Sequence, residues 1–152
     1  MIDLFTKLSV AATMHEQSSQ KVGHALLARW VLLFPAPRHL VTDQGANFQS
    51  AIVPNLCTIW RIDKLGTTAY NTAGNGACER LNQTIKHGLQ KMLNEKMMED
   101  WDVGHTEVMF ANNRSVHSTI GFTPYFLMFA VEARIPSEIL LGLPEVERSP
   151  AS

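Results

Sequence analysis

His39-Leu40-Val41-Thr42-Asp43-Gln44-Gly45-Ala46-Asn47 is the stretch on which the architecture turns. Its first five residues suit a short strand, and Gln44-Gly45-Ala46-Asn47 has the composition of a turn. Asp43 therefore ends a strand, at the carboxyl edge where α/β sheets assemble their sites.

Working outward from that turn, Leu8 to Met14 is an apolar, β-branched run that suits another strand, with imperfect alternation. Ser18 and Ser19 offer an N-cap, and Val22, Leu26, Trp30 and Leu33 then fall on one helical stripe that Pro35 and Pro37 end. Downstream, Ser50 to Trp60 reads as a helix with Pro54 tolerated near its first turn, and Ile62 to Thr67 as a strand. Asn71, Gly74, Asn75 and Gly76 make Thr68 to Gly76 a mobile loop. A long helix is expected over 77–94 and another over 101–114. Thr123-Pro124 caps a last short one. From Gly142 onward Pro144, Glu145, Glu147 and Pro150 suggest a solvated tail, so the chain divides into a core, 1–142, and a tail, 143–152. No internal repeat is visible. Strands alternating with helices indicate an α/β fold with helices flanking a sheet.

Composition narrows the function. Among 152 residues, 13 basic side chains face 14 acidic ones, for a net charge of −1. A domain that holds nucleic acid by bulk electrostatics shows a basic excess, so any such contact must come from a local patch; Arg61, Lys64, Arg80, Lys86 and Arg114 are its candidates. Cys57 and Cys78 have no metal-ligand spacing and read as buried thiols of an intracellular protein. The most apolar run, Ala25 to Phe34, contains Arg29 and is too short to span a bilayer. No signal peptide is visible.

Glu79 stands in the first turn of the expected long helix. Complementing the helix dipole is the ordinary reading of such a residue. At 3.6 residues per turn, however, Glu79, Gln83, Lys86 and Gln90 share one face, while Cys78, Leu81, Ile85, Leu89 and Met92 make the core face. A carboxylate able to hold a divalent metal, beside a lysine able to take a phosphate, suits phosphoryl transfer. The spacing is equally that of a plain solvated lysine.

Several segments together carry a family resemblance. Thr42-Asp43-Gln44-Gly45-Ala46-Asn47-Phe48 resembles the motif around the second catalytic aspartate of retroviral and long-terminal-repeat retrotransposon integrases. Asn75-Gly76-Ala77-Cys78-Glu79-Arg80-Leu81-Asn82 resembles the motif around their catalytic glutamate, and positions 43 and 79 leave 35 residues between them, the spacing of that family. Asp3-Leu4-Phe5-Thr6-Lys7 resembles the family's second strand. Phe110-Ala111-Asn112-Asn113, Val116-His117-Ser118-Thr119, Gly121-Phe122-Thr123-Pro124 and Arg134-Ile135-Pro136 resemble the downstream signature of gypsy-type elements.

The resemblance implies a ribonuclease-H-like mixed sheet flanked by helices, with Mg²⁺- or Mn²⁺-dependent cleavage and joining of DNA strands. It implies that Asp43 and Glu79 are catalytic metal ligands. It also implies DNA contacts from Lys86, Asn82, Tyr70, Asn75, Asn47 and Arg80, action in the nucleus, and a homodimer formed through helices. Trp101, Val108, Met109 and Phe110 are compatible with a dimer face, but ordinary core is the expectation for them. His117 is expected to be structural.

The pattern also breaks. The family uses three carboxylates, the first on a central strand that precedes the second-strand motif. Here that motif begins at Asp3, itself a second-strand position and not a ligand. The expectation is thus a partial core, lacking the first strand and its aspartate and inactive alone. The alternative is a non-catalytic nucleic-acid-binding or protein-interaction module derived from an integrase. Smaller departures are Asn71-Thr72 in place of His-Pro, Pro35 after Phe34 where a glycine is usual, and Ala130, also at a usual glycine position.

Overall fold

The computed structural model describes residues 1–67, 72–94 and 101–142, without the side chains of 72–75, 101 and 102. The expected tail, 143–152, lies outside the described residues.

Helix α1 (Ser19–Leu26) begins where expected: Ser18 is extended and its carbonyl accepts from Val22 N–H at 3.0 Å, although its hydroxyl makes no cap bond. The helix then widens into a π turn, Leu27–Val31, in which Leu32 N–H reaches the Leu27 carbonyl at 3.0 Å. That turn changes which residues face inward. Trp30 and Val31 are both buried, whereas Leu33, the last member of the expected stripe, is 64% exposed.

Strand β1 (His39–Thr42) pairs in parallel with β2 (Asp63–Gly66). Between them lie a single helical turn, α2 (Ala46–Gln49), and α3 (Ile52–Ile59), which carries Pro54 in its first turn. After α3, Arg61 adopts φ 53° and Ile62 N–H turns back to the Cys57 carbonyl at 2.8 Å. This reversal delivers Ile62 to the core with Val22, Leu26, Trp30, Val31, Val53 and Cys57. Helix α1 packs closely on α3: a Cβ on Gly23 would lie 2.8 Å from Ile52 Cγ2. Cys57 is buried as expected, and burial pushes its thiol up more than nearby Lys64 pulls it down. Cys78 is exposed, contrary to expectation.

Leu8 to Met14 does not form the expected strand. Only an isolated antiparallel bridge, Ile2 with Ser9, is present, held by reciprocal bonds between Met1 and Val10 at 2.8 and 2.9 Å. A strand needs a neighbour for its backbone groups, and here a side chain takes that place. Asn113 Oδ1 accepts from Ser9 N–H at 2.9 Å, and Asn113 Nδ2 donates to the Ser9 carbonyl at 2.8 Å. Asn113 Oδ1 and Asn112 Nδ2 also engage the Ser9 hydroxyl, each at 3.0 Å. The sheet formed by the described residues therefore has two strands.

Helix α4 (Thr72–Asn94) starts earlier than expected, taking 72–76 out of the anticipated loop. No proline interrupts it, and the two glycines of 72–76, at about 1 kcal/mol each, do not stop a helix already propagating from Ala77 onward. Leu81 is buried, Ile85, Leu89 and Met92 are half-buried, and Cys78 drops out of the expected core face. Helix α5 (Trp101–Arg114) packs on α4 and buries Val108 and Met109, as the core reading of those residues requires; Phe110 is 40% exposed.

The last two helices are short. In α6 (Pro124–Phe129), Thr123 Oγ1 accepts from Phe126 N–H at 3.0 Å and donates to Glu132 at 2.8 Å, the expected cap. Ala130 then closes α6 at φ 58°, ψ 16°, a left-handed conformation that glycine adopts without penalty. Ala130→Gly is therefore expected to stabilise the fold by about 1 kcal/mol, measured by denaturant unfolding.

In α7 (Pro136–Leu140), Glu138 accepts from Ile135 N–H at 3.0 Å and pairs with Arg114. The Ile135 bond holds its carboxyl below the ordinary range, and Arg114 pulls the same way against burial. Because the folded value lies below the unfolded one, near 4.5, this contribution is complete above the unfolded value. It is lost as pH falls through the folded value. Glu138→Gln is expected to melt below wild type at neutral pH, and the gap is expected to close as pH falls through the folded value.

Candidate metal and nucleic-acid site

The register His39↔Asp63 through Thr42↔Gly66 brings β1 and β2 to an end at the same level. Asp43 leaves β1 there, and Thr67 leaves β2. Thr67 N–H donates to the Thr42 carbonyl at 2.8 Å, extending the ladder by one bond. Gln44 then reaches across, its Nε2 donating to the Thr67 carbonyl at 3.1 Å.

Asp43 is exposed, with Oδ1 accepting from Gly45 N–H at 3.0 Å. A Cβ on Gly45 would lie 3.0 Å from that same oxygen and 3.6 Å from the Phe48 ring. Glycine is thus what lets the carboxylate fold back over its own turn. The requirement is for space, since φ of Gly45 is an ordinary −56°. Asn47 is half-buried in α2, and its carbonyl accepts from the Ser50 hydroxyl at 3.3 Å.

Glu79, Arg80, Asn82, Gln83, Lys86 and Gln90 are all exposed along α4, while Leu81 and Ile85 turn inward. Asn75 belongs to α4 by its backbone, and Tyr70 lies outside the described residues. Of the anticipated basic patch, Arg61 is exposed and Lys64 half-buried. Arg114 does not belong to it, because its Nε donates to the Ala133 carbonyl at 2.9 Å and its guanidinium pairs with Glu138. Those bonds tie α5 to α7, so this cation is spent within the fold.

Asp3 is likewise engaged. Its Oδ1 accepts from Phe5 N–H at 3.2 Å, Thr6 N–H at 2.6 Å and Thr6 Oγ1 at 2.8 Å, closing its own turn. Among the described residues no group of three His, Cys, Asp or Glu side chains is placed to hold a metal. His117 organises a turn: its N–H donates to the Phe122 carbonyl, its carbonyl accepts from Ile120 and Gly121, and its Nδ1 accepts from Thr119 N–H at 3.3 Å. The bond from Gln44 to Thr67 was not foreseen. No sequence pattern marks it, because it joins residues 23 positions apart.

No family model matches the chain. It is 24% identical over 131 residues, 86% of its length, to the retrovirus-related Pol polyprotein from transposon 412 of Drosophila melanogaster. It is 26% identical over 128 residues, 84% of its length, to the Gag-Pol polyprotein of baboon endogenous virus (strain M7). Among solved structures, the HTLV-2 integrase catalytic core domain in complex with magnesium superposes with a TM-score of 0.71 at 24% identity, covering 84% of this chain and 80% of that one. Over most of its length the chain is similar to retroviral and transposon Pol polyproteins. It has the integrase-core fold, and it spans only 10% and 7% of the two polyproteins it matches. Among the described residues, no helix is long and apolar enough to cross a membrane.

Proposed function

We propose that this chain carries the second and third metal-binding carboxylates, Asp43 and Glu79, of an integrase core whose reaction is divalent-metal-dependent cleavage and joining of DNA strands. The supporting observation is the placement of two exposed carboxylates. One ends a parallel strand; the other lies on a helix face that is otherwise polar and basic. Both are hard oxygen donors, the set that suits Mg²⁺ or Mn²⁺, which binds through one or two carboxylates and substrate phosphates. When bound, such ions activate the attacking oxygen and stabilise the leaving one.

The chain's own residues supply the rest. Gly45 gives the Asp43 carboxylate its room, and the turn amide keeps Oδ1 oriented. Lys86 and Arg80 offer cations to phosphates from the face that bears Glu79, with Asn82 and, through its turn, Asn47 as further DNA contacts. Tyr70 and Asn75 belong to the same proposal as residues at the mouth of the site. Its place of action is DNA in the nucleus, and self-association is part of the same proposal.

A third carboxylate enters on a further strand along the outer edge of β1. The carbonyls of Arg38 and Thr42 bond to β2, so the backbone groups of His39 and Val41 face away from it. These groups have no partner among the described residues, and the buried Thr42 hydroxyl likewise has none. An edge of this kind accepts another strand.

The metal reading is tested by Mn²⁺ titration with amide NMR signals as the readout. Signals around Asp43 and Glu79 are expected to broaden with one shared midpoint, and Asp43→Asn to raise the midpoint seen at Glu79 by about tenfold. Independent midpoints, or a Glu79 response indifferent to Asp43→Asn, would refute it.

A further inference from the structure

We propose that Gln44 is a positioning residue that couples the two chain segments bearing the carboxylates. The claim deepens the metal-site reading and rests on it. Asp43 and Glu79 depart from different strands: Asp43 leaves β1 directly, and Glu79 follows the segment that leaves β2 at Thr67. Beyond the Thr42 to Thr67 bond at 2.8 Å no further backbone bond joins the two segments among the described residues. The next link across the gap is made by a side chain, Gln44 Nε2 to the Thr67 carbonyl at 3.1 Å.

The chemistry of this position is specific. A carbonyl must be met by a donor, so a side chain that only accepts cannot serve. The donor must also span from the turn after β1 to the residue after β2, which the length of glutamine allows. Gln44 lies between Asp43, whose Oδ1 is held by Gly45 N–H, and Gly45 itself. Any shift of the Gln44 backbone therefore moves the carboxylate. Thr67 is buried, so its carbonyl gives the link a fixed anchor. Loss of the link leaves each strand intact and frees the two exits to move independently, which a metal site drawing on both carboxylates would register and core packing would not.

The test compares wild type with Gln44→Met, which keeps the length and removes the donor, and Gln44→His, which restores a donor. Without metal, the Thr67 amide of Gln44→Met is expected to exchange with solvent about fivefold faster than wild type, with the Trp30 and Val31 amides unchanged. With Mn²⁺, Gln44→Met is expected to separate the broadening midpoints at Asp43 and Glu79, and Gln44→His to bring them together again. Unchanged Thr67 exchange, or a midpoint that stays shared in Gln44→Met, overturns the role of Gln44 and leaves the metal reading standing. Wild-type midpoints that are not shared overturn the metal reading, and the positioning role with it, even where the exchange result holds.

Discussion

Asn113→Ala is expected to destabilise the fold by about 3 kcal/mol, the largest effect of any single substitution considered for stability. The Asn113 amide meets both the N–H and the carbonyl of Ser9, and Ser9 is 1% exposed. Truncation leaves a buried donor and a buried acceptor unpaired, each costing about 1–3 kcal/mol, with part recovered if water enters. For a chain of this size the loss corresponds to a melting temperature lower by about 10 °C. Asn113→Asp separates the two halves of the contact: it keeps an acceptor for Ser9 N–H and turns the donor into a second oxygen facing the Ser9 carbonyl. It is therefore expected to destabilise as well. A melting temperature for Asn113→Ala within about 2 °C of wild type would show that Ser9 finds other partners.

The second large effect is at Gly88. A Cβ there would lie 2.7 and 2.8 Å from the two γ-carbons of Val108, on the helix packed against α4. Valine is stiff at χ1, so the helices themselves must part. Overpacking of this kind costs about 1–3 kcal/mol, against a helix-propensity gain of about 1 kcal/mol for alanine over glycine. Gly88→Ala is expected to lose about 2 kcal/mol by denaturant unfolding, at the upper end of that balance. Val108→Ala removes the obstructing methyls, so the double substitution is expected to cost less than the sum of the singles. Strict additivity would mean that the strain lies elsewhere.

These two residues show where the sequence was silent. Gly88 reads as a weak point in a helix until α5 is brought against it, and nothing local distinguishes it from a destabilising glycine. Asn113 sits 104 positions from Ser9, and its role as substitute for a strand neighbour depends on a packing that no periodicity encodes. For the same reason the Leu8 to Met14 strand failed: its propensity was sound, but its hydrogen-bonding partner is a side chain. Leu33 failed through the π turn, which shifts the inward face at Trp30 and Val31.

What local chemistry controls was legible. The β1 strand and the bend at Gln44-Gly45 after it (Ala46 and Asn47, expected in the turn, open α2), the Thr123 cap, the stripe through Val22, Leu26 and Trp30, and the polar face of α4 all follow from short-range rules. The turn residue Gly45 was recognised, but its specific demand, space for the Asp43 carboxylate, required coordinates. Ala130 connects the two levels. It stands where the integrases that the sequence resembles usually have glycine, and the structure gives that departure a physical meaning, a left-handed residue with a β-carbon.

We propose Asp43 and Glu79 as two ligands of a metal site completed by a carboxylate on one further strand. The most direct measurement is Mg²⁺-dependent strand transfer on an oligonucleotide duplex by this chain alone and by the chain extended with an aspartate-bearing strand. Joining is expected only from the extended chain, and it is expected to be abolished by Asp43→Asn and by Glu79→Gln. Joining by the chain alone that depends on Glu79 would contradict it, since the third ligand would then lie within these residues. Joining by the extended chain that survives Glu79→Gln would contradict the assignment of Glu79 itself.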